Sequence, residues 1–77
     1  MSIQEEALMM LELLKGTGVS FRNFANCIGM KIDSIYSYRS CPSRLSEAKA
    51  KYIIAQIESN YQKEWKYIKQ EMEKLIQ

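Results

Sequence analysis

The chain predicts a small all-α domain built around a helix-turn-helix. Over residues 21–40 the sequence FRNFANCIGMKIDSIYSYRS places Ala25 four residues before Gly29, with apolar residues at Phe24, Ile28, Met30, Ile35 and Tyr38. Residues 47–76 contain no Gly or Pro, and apolar side chains recur there every three or four positions. With 77 residues, 47% of them hydrophobic, one Pro and three Gly, the chain is one globular domain. It lies near the lower limit of what a single core can stabilise.

Taken in order, Ser2-Ile3-Gln4-Glu5 reads as a capping box, in which side chains at the first and fourth positions satisfy orphan N–H groups. The helix it opens extends to about Lys15, with Ile3, Ala7, Leu8, Leu11 and Leu14 on one stripe, widened by Met10 and Leu13. Gly16-Thr17-Gly18 ends it. Ser20 caps a second helix over about 21–28, whose Phe24 and Ile28 share a face. The small Ala25 lets the next helix approach, and Gly29 allows the turn a positive φ that Cβ-bearing residues resist. A third helix over about 31–39 turns Ile35 and Tyr38 inward. Residues 40–43 form a loop, because Pro42 lacks an N–H and biases its predecessor away from helix.

Ser46 caps the C-terminal segment, 46–76, whose stripe is Ile54, Ile57, Tyr61, Trp65, Ile68, Met72 and Leu75. As one helix it would be roughly 45 Å long, more than the diameter of so small a domain. It must break near Ser59-Asn60 or project. Nothing in Glu58-Ser59-Asn60 forces an end, so a long or barely kinked amphipathic helix is expected.

Composition narrows the function classes. The chain has no His and two Cys, which excludes a four-ligand zinc site of the usual residues and suits a reducing compartment. There is no nucleophile-and-base pair and no phosphate-cradling loop, so an enzyme, a metal or a cofactor is not expected. No apolar run is long enough to span a membrane and no signal peptide is recognisable, which leads to a cytoplasmic expectation. Cys27, mid-helix beside Ile28, is expected to be a small packing residue. The net charge of +2 is uneven: −2 over residues 1–19, +4 over 20–53 and 0 over 54–77. The basic excess coincides with the helix-turn-helix, as a partner with a phosphate backbone would require.

Residues 20–57, about half the chain, resemble the lambda-repressor/Cro-like family of helix-turn-helix domains, on Ala25, Gly29 and the apolar spacing around them. Lys31 departs from the pattern, standing where the family usually has Ser, Thr or Gly. The resemblance implies a transcriptional regulator of phage or bacterial type, binding double-stranded DNA at a short operator as a homodimer and acting by occlusion or by contact with polymerase. It implies that the third helix lies in the major groove, with Lys31, Ile32, Asp33, Tyr36 and Ser37 facing bases. Ile32 could read only shape or a thymine methyl, Asp33 could accept from a cytosine amino group, and Ser37 could serve either base type. Asp33 also suits the helix dipole from the first turn. The family's docking geometry further implies phosphate contacts from Ser20, Arg22 and Asn23 at the start of the second helix, and from Arg39, Ser40 and Arg44 beyond the third.

The C-terminal stripe has two readings. Tyr61, Trp65, Ile68 and Met72 either fold back onto the first helix or form a homodimer seam, for which Trp and Tyr are apt residues. Dimerisation through that seam is the expectation, since two-fold-related half-sites need a dimer. The rival function is a protein–protein module, such as a phage-type inhibitor or adaptor, that uses the helix-turn-helix only as scaffold.

Overall fold

Three serines start three of the helices. The hydroxyl oxygens of Ser2, Ser20 and Ser46 each accept from the backbone N–H three residues on, at 3.1 Å, from Glu5, Asn23 and Lys49. At the first of these caps the Ser2 N–H donates back to Glu5 Oε1 at 3.3 Å, completing the capping box. The hydrogen bonds from Ser2 hold the Glu5 carboxyl below its ordinary pKa.

The structure is a computed structural model and describes the backbone of residues 1–76 and the side chains of residues 1–75. Its helices are α1 (Ile3–Gly16), α2 (Phe21–Ile28), α3 (Ile32–Ser40), α4 (Glu47–Asn60) and α5 (Gln62–Ile76), with one 3-10 turn at Pro42–Arg44 between α3 and α4. Among the described residues there is no strand. The all-α class is as the sequence predicts.

Helix α1 is the spine. It packs against α4, α5 and the 3-10 turn, while α2 and α3 pair with each other beside it. The core comprises Ala7, Met10, Leu11 and Leu14 of α1, Phe21, Phe24 and Ala25 of α2, Ile35 of α3, Leu45, Ala50, Ile53 and Ile57 around α4, and Ile68 and Met72 of α5. Every fully buried residue among those described is apolar, and one carboxylate oxygen, Glu64 Oε2, is out of contact with solvent and has no hydrogen-bond partner.

The turn between α2 and α3 forms as its glycine demands. Gly29 has φ +68° and ψ +30°, and the Met30 N–H reaches back to the Ala25 carbonyl at 2.9 Å. This is a Schellman-type end, which satisfies the last carbonyls of α2 while reversing the chain.

The C-terminal segment differs from expectation. It is two helices rather than one long or barely kinked one, and the break falls at Tyr61, one residue beyond Ser59-Asn60. Tyr61 leaves the helical region with φ −131° and ψ +60°. Its N–H still closes α4 on the Ile57 carbonyl at 2.9 Å, and its own carbonyl accepts from the Trp65 N–H at 2.7 Å to open α5. Tyr61 thus closes one helix and opens the next without a glycine. The cause is tertiary: the longest dimension of the molecule is 29 Å, and a straight helix would have left Ile68 and Met72 in water. The buried stripe also differs from the expected one. Ile53, fully buried, takes the core position expected of Ile54, and Leu75, expected on the stripe, is 54% exposed.

Candidate nucleic-acid interface

Phe21, the first residue of α2, organises the surface around the helix-turn-helix. Its ring is buried at the edge of the core, and three polar-tipped side chains gather on it. Tyr36 of α3 meets it edge-on, with centroids 6.1 Å apart and planes at 81°. The Arg39 guanidinium lies 4.8 Å from the ring centroid and the Lys15 ammonium 5.1 Å from it. An apolar anchor thus draws two cations and a phenol to the side of the molecule where α2 begins.

Along α3 the residues separate by helical phase. Ile35 is buried, and Ile32 and Tyr38 are partly buried against the core, so Ile32 offers only an edge outward. Asp33, Tyr36 and Ser40 are exposed, with Ser37 partly so. Ser37 Oγ accepts from an Arg44 guanidinium N–H at 2.9 Å, which ties the 3-10 turn to the outward face of α3. Lys31 takes the N-cap position with φ −73° and ψ +136° but has no side-chain acceptor to offer, so Asp33 is the only acid in the first turn of α3.

The expected phosphate-contacting residues fall into two groups. Ser20 Oγ is engaged on the Asn23 N–H, which leaves the Phe21 and Arg22 N–H groups as the orphan donors of α2. Arg22 is exposed and has no ion pair among the described residues. Arg39 and Arg44, by contrast, already have protein partners. The Arg39 Nε–H donates to Glu12 Oε1 of α1 at 2.6 Å, and Arg44 is on Ser37.

Lys15 and Glu12 escaped sequence reasoning. A division of charge by blocks puts both with the acidic N-terminal quarter, whereas the short connection of residues 17–20 carries the end of α1 back to the start of α2. The brevity of that connection was the available signal.

The expected dimer seam is not on the surface. Ile68 is fully buried and Met72 2% exposed within a single chain, while Tyr61 and Trp65 are partly buried against the same core. Chain reversal at Tyr61 turns this stripe inward onto α1, so those four residues complete the monomer. Cys27, expected to pack, is exposed on α2, because the inner face of that short helix is filled by Phe21, Phe24 and Ala25. Cys41 lies 3.1 Å from the Ser43 hydroxyl, whose hydrogen bond lowers the pKa of its thiol.

Among the described residues no three His, Cys, Asp or Glu side chains are grouped to hold a metal ion, and no helix is long and apolar enough to cross a membrane. No protein-family model, no curated protein and no solved structure matches this chain.

Proposed function

We propose that this chain is a DNA-binding regulator of the helix-turn-helix type, related to the lambda-repressor/Cro-like domains and working in the cytoplasm of a bacterium or a phage-infected cell. The observation that carries this reading is the pairing of α2 with α3 about Gly29, with Asp33, Tyr36 and Ser40 exposed and Ser37 partly exposed on the outward side of α3. That face is a helix width of mixed donors and acceptors, of the size a major groove admits. Arg22 and the first N–H groups of α2 stand where a backbone phosphate would lie if α3 entered the groove. Lys31, at the start of α3, adds an exposed cation beside it.

Binding to a two-fold operator would bring two copies together. With Ile68 and Met72 inside the monomer, that contact would fall on another surface, such as the outer faces of α4 and α5, where Tyr52 and Tyr67 are exposed. Regulation would come from occupancy of the site, by occlusion or by contact with polymerase.

A protein-binding role is the second reading, and one observation favours it. The outward face of α3 carries Asp33 and Tyr36, while Arg39 and Arg44 beside it already have partners within the chain. Selection from a random duplex pool at moderate salt separates the two readings. Enrichment of a roughly palindromic site supports the regulator, and a flat outcome favours the protein partner.

A further inference from the structure

The Arg39–Glu12 pair sits on the rim of the proposed interface, and its geometry raises the question of what it does there. The two side chains come from different helices, α3 and α1, and meet at 2.6 Å while remaining 36% and 49% exposed. The pair borders an open groove lined also by Glu5, Leu8, Met9 and Ser40, so the guanidinium has room to leave its partner without disturbing the core. The Phe21 ring lies under Arg39, 4.8 Å from Cζ to the ring centroid, and gives the guanidinium a second contact near the start of α2 besides Glu12. Lys15, one helical turn after Glu12, rests on the same ring and has no carboxylate of its own among the described residues.

We propose that Glu12 is an intramolecular competitor for Arg39: its carboxylate occupies the guanidinium in the free protein and is displaced by a backbone phosphate when the chain binds nucleic acid. This rests on the DNA-binding reading above. The Arg39 Nε–H meets one carboxylate oxygen of Glu12, and a phosphate oxygen can take the same place on the guanidinium. Exposed ion pairs of this kind are weak, which makes the exchange easy. Glu12 would then lower affinity for every sequence alike, because the contact it opposes carries no base information. It would also flatten the salt dependence, since the carboxylate it frees regains a cation as the phosphate loses one. Phe21 is a positioning residue in this scheme, keeping Arg39 within reach of either anion.

The test is a thermodynamic cycle on Glu12→Gln, Arg39→Ala and the double variant, read by fluorescence anisotropy on a short labelled duplex across a range of salt. Glu12→Gln should bind about two- to fivefold tighter at low salt, the worth of one exposed pair. Its log–log salt slope should be steeper, by at most about 0.9 for each copy bound. In the Arg39→Ala background the same change should do nothing. A wild type that binds while Glu12→Gln gains no affinity would overturn the competition and leave the DNA reading standing. An equal gain with and without Arg39 would also overturn it, because a long-range effect of removing one negative charge needs no guanidinium. If neither wild type nor Glu12→Gln binds duplex at low salt, the DNA reading itself falls and takes the inference with it. Circular dichroism of each variant checks that the helices persist, and Glu12→Ala gives the same comparison with no residual side-chain acceptor.

Discussion

The ring of Tyr61 rests on the ring of Phe24, with centroids 6.0 Å apart and planes tilted by 44°. Phe24 belongs to the middle of the helix-turn-helix and Tyr61 is where the chain turns back between α4 and α5. This contact couples the C-terminal reversal to the element proposed to bind DNA. It explains why a residue with good helix neighbours on both sides leaves the helix: the turn places its ring on the core and brings α5 down beside α1.

That coupling is measurable. Phe24→Leu and Tyr61→Leu, singly and together, should show a non-additive stability term of about 0.5–1.5 kcal/mol by urea denaturation. Phe24→Ala, which empties a fully buried site, should cost about 3–5 kcal/mol. That is a large share of the stability of a domain this small. Additive Leu variants would show the contact to be incidental to the turn.

The same residue should mark the alkaline limit of stability. Burial pushes the Tyr61 phenol above its ordinary pKa, with the neighbouring Cys27 thiol and the Glu64 charge acting in the same direction. A raised folded-state pKa means that the neutral phenol is favoured by folding. Its stabilisation is therefore complete below the unfolded tyrosine value of about 10 and declines as pH rises toward and through the folded one. Tyr61→Phe should lose less stability than wild type between neutral and strongly alkaline pH, as followed by thermal melts. Parallel curves for the two proteins would contradict this.

Ile68→Glu should unfold the chain. In a dimer seam the substitution would leave a folded monomer, but Ile68 is fully buried within one chain against the face of α1 and α4. An unpaired carboxylate there costs about 3–5 kcal/mol before the lost apolar contacts are counted. Far-UV circular dichroism should show loss of helix at room temperature, with sedimentation reporting an expanded species. A mutant that stays helical and changes only its association state would return the stripe to the surface.

On the proposed interface, Arg22→Ala and Ser37→Ala should act differently. Removing Arg22 should weaken binding to all duplexes alike and reduce the salt slope by about 0.9 for each copy bound. Ser37→Ala should change base preference at one position per half-site by about 1–3 kcal/mol. It also releases Arg44, which now donates to Ser37. Ser37→Ala should therefore bring a small uniform gain in affinity as well. Loss of a protein interaction with duplex binding untouched would support the second reading of the α3 face.

Much of this architecture is local and therefore legible. The hydroxyls of Ser2, Ser20 and Ser46 cap helices through atoms three residues away, so their effect needs no distant partner. Gly29 determines the turn through its own backbone freedom, and Phe24, Ala25 and Ile35 face inward because helical phase puts them there. The outward set of Asp33, Tyr36, Ser37 and Ser40 follows from the same phase. Ile32 shows its limit, since a residue at the margin of the stripe leans toward whichever side is drier.

What only the tertiary structure decided depends on atoms far apart in the chain. The break at Tyr61 has no local signal in Glu58-Ser59-Asn60; it exists because two apolar stripes compete to cover α1, and a folded-back α5 buries Ile68 and Met72 where a straight helix could not. The commitment of Arg39 to Glu12, 27 positions apart, and the gathering of Lys15 onto Phe21 arise the same way. Periodicity along one chain states which faces are apolar. Which faces meet, and which charges are thereby neutralised, is set by the packing of whole helices.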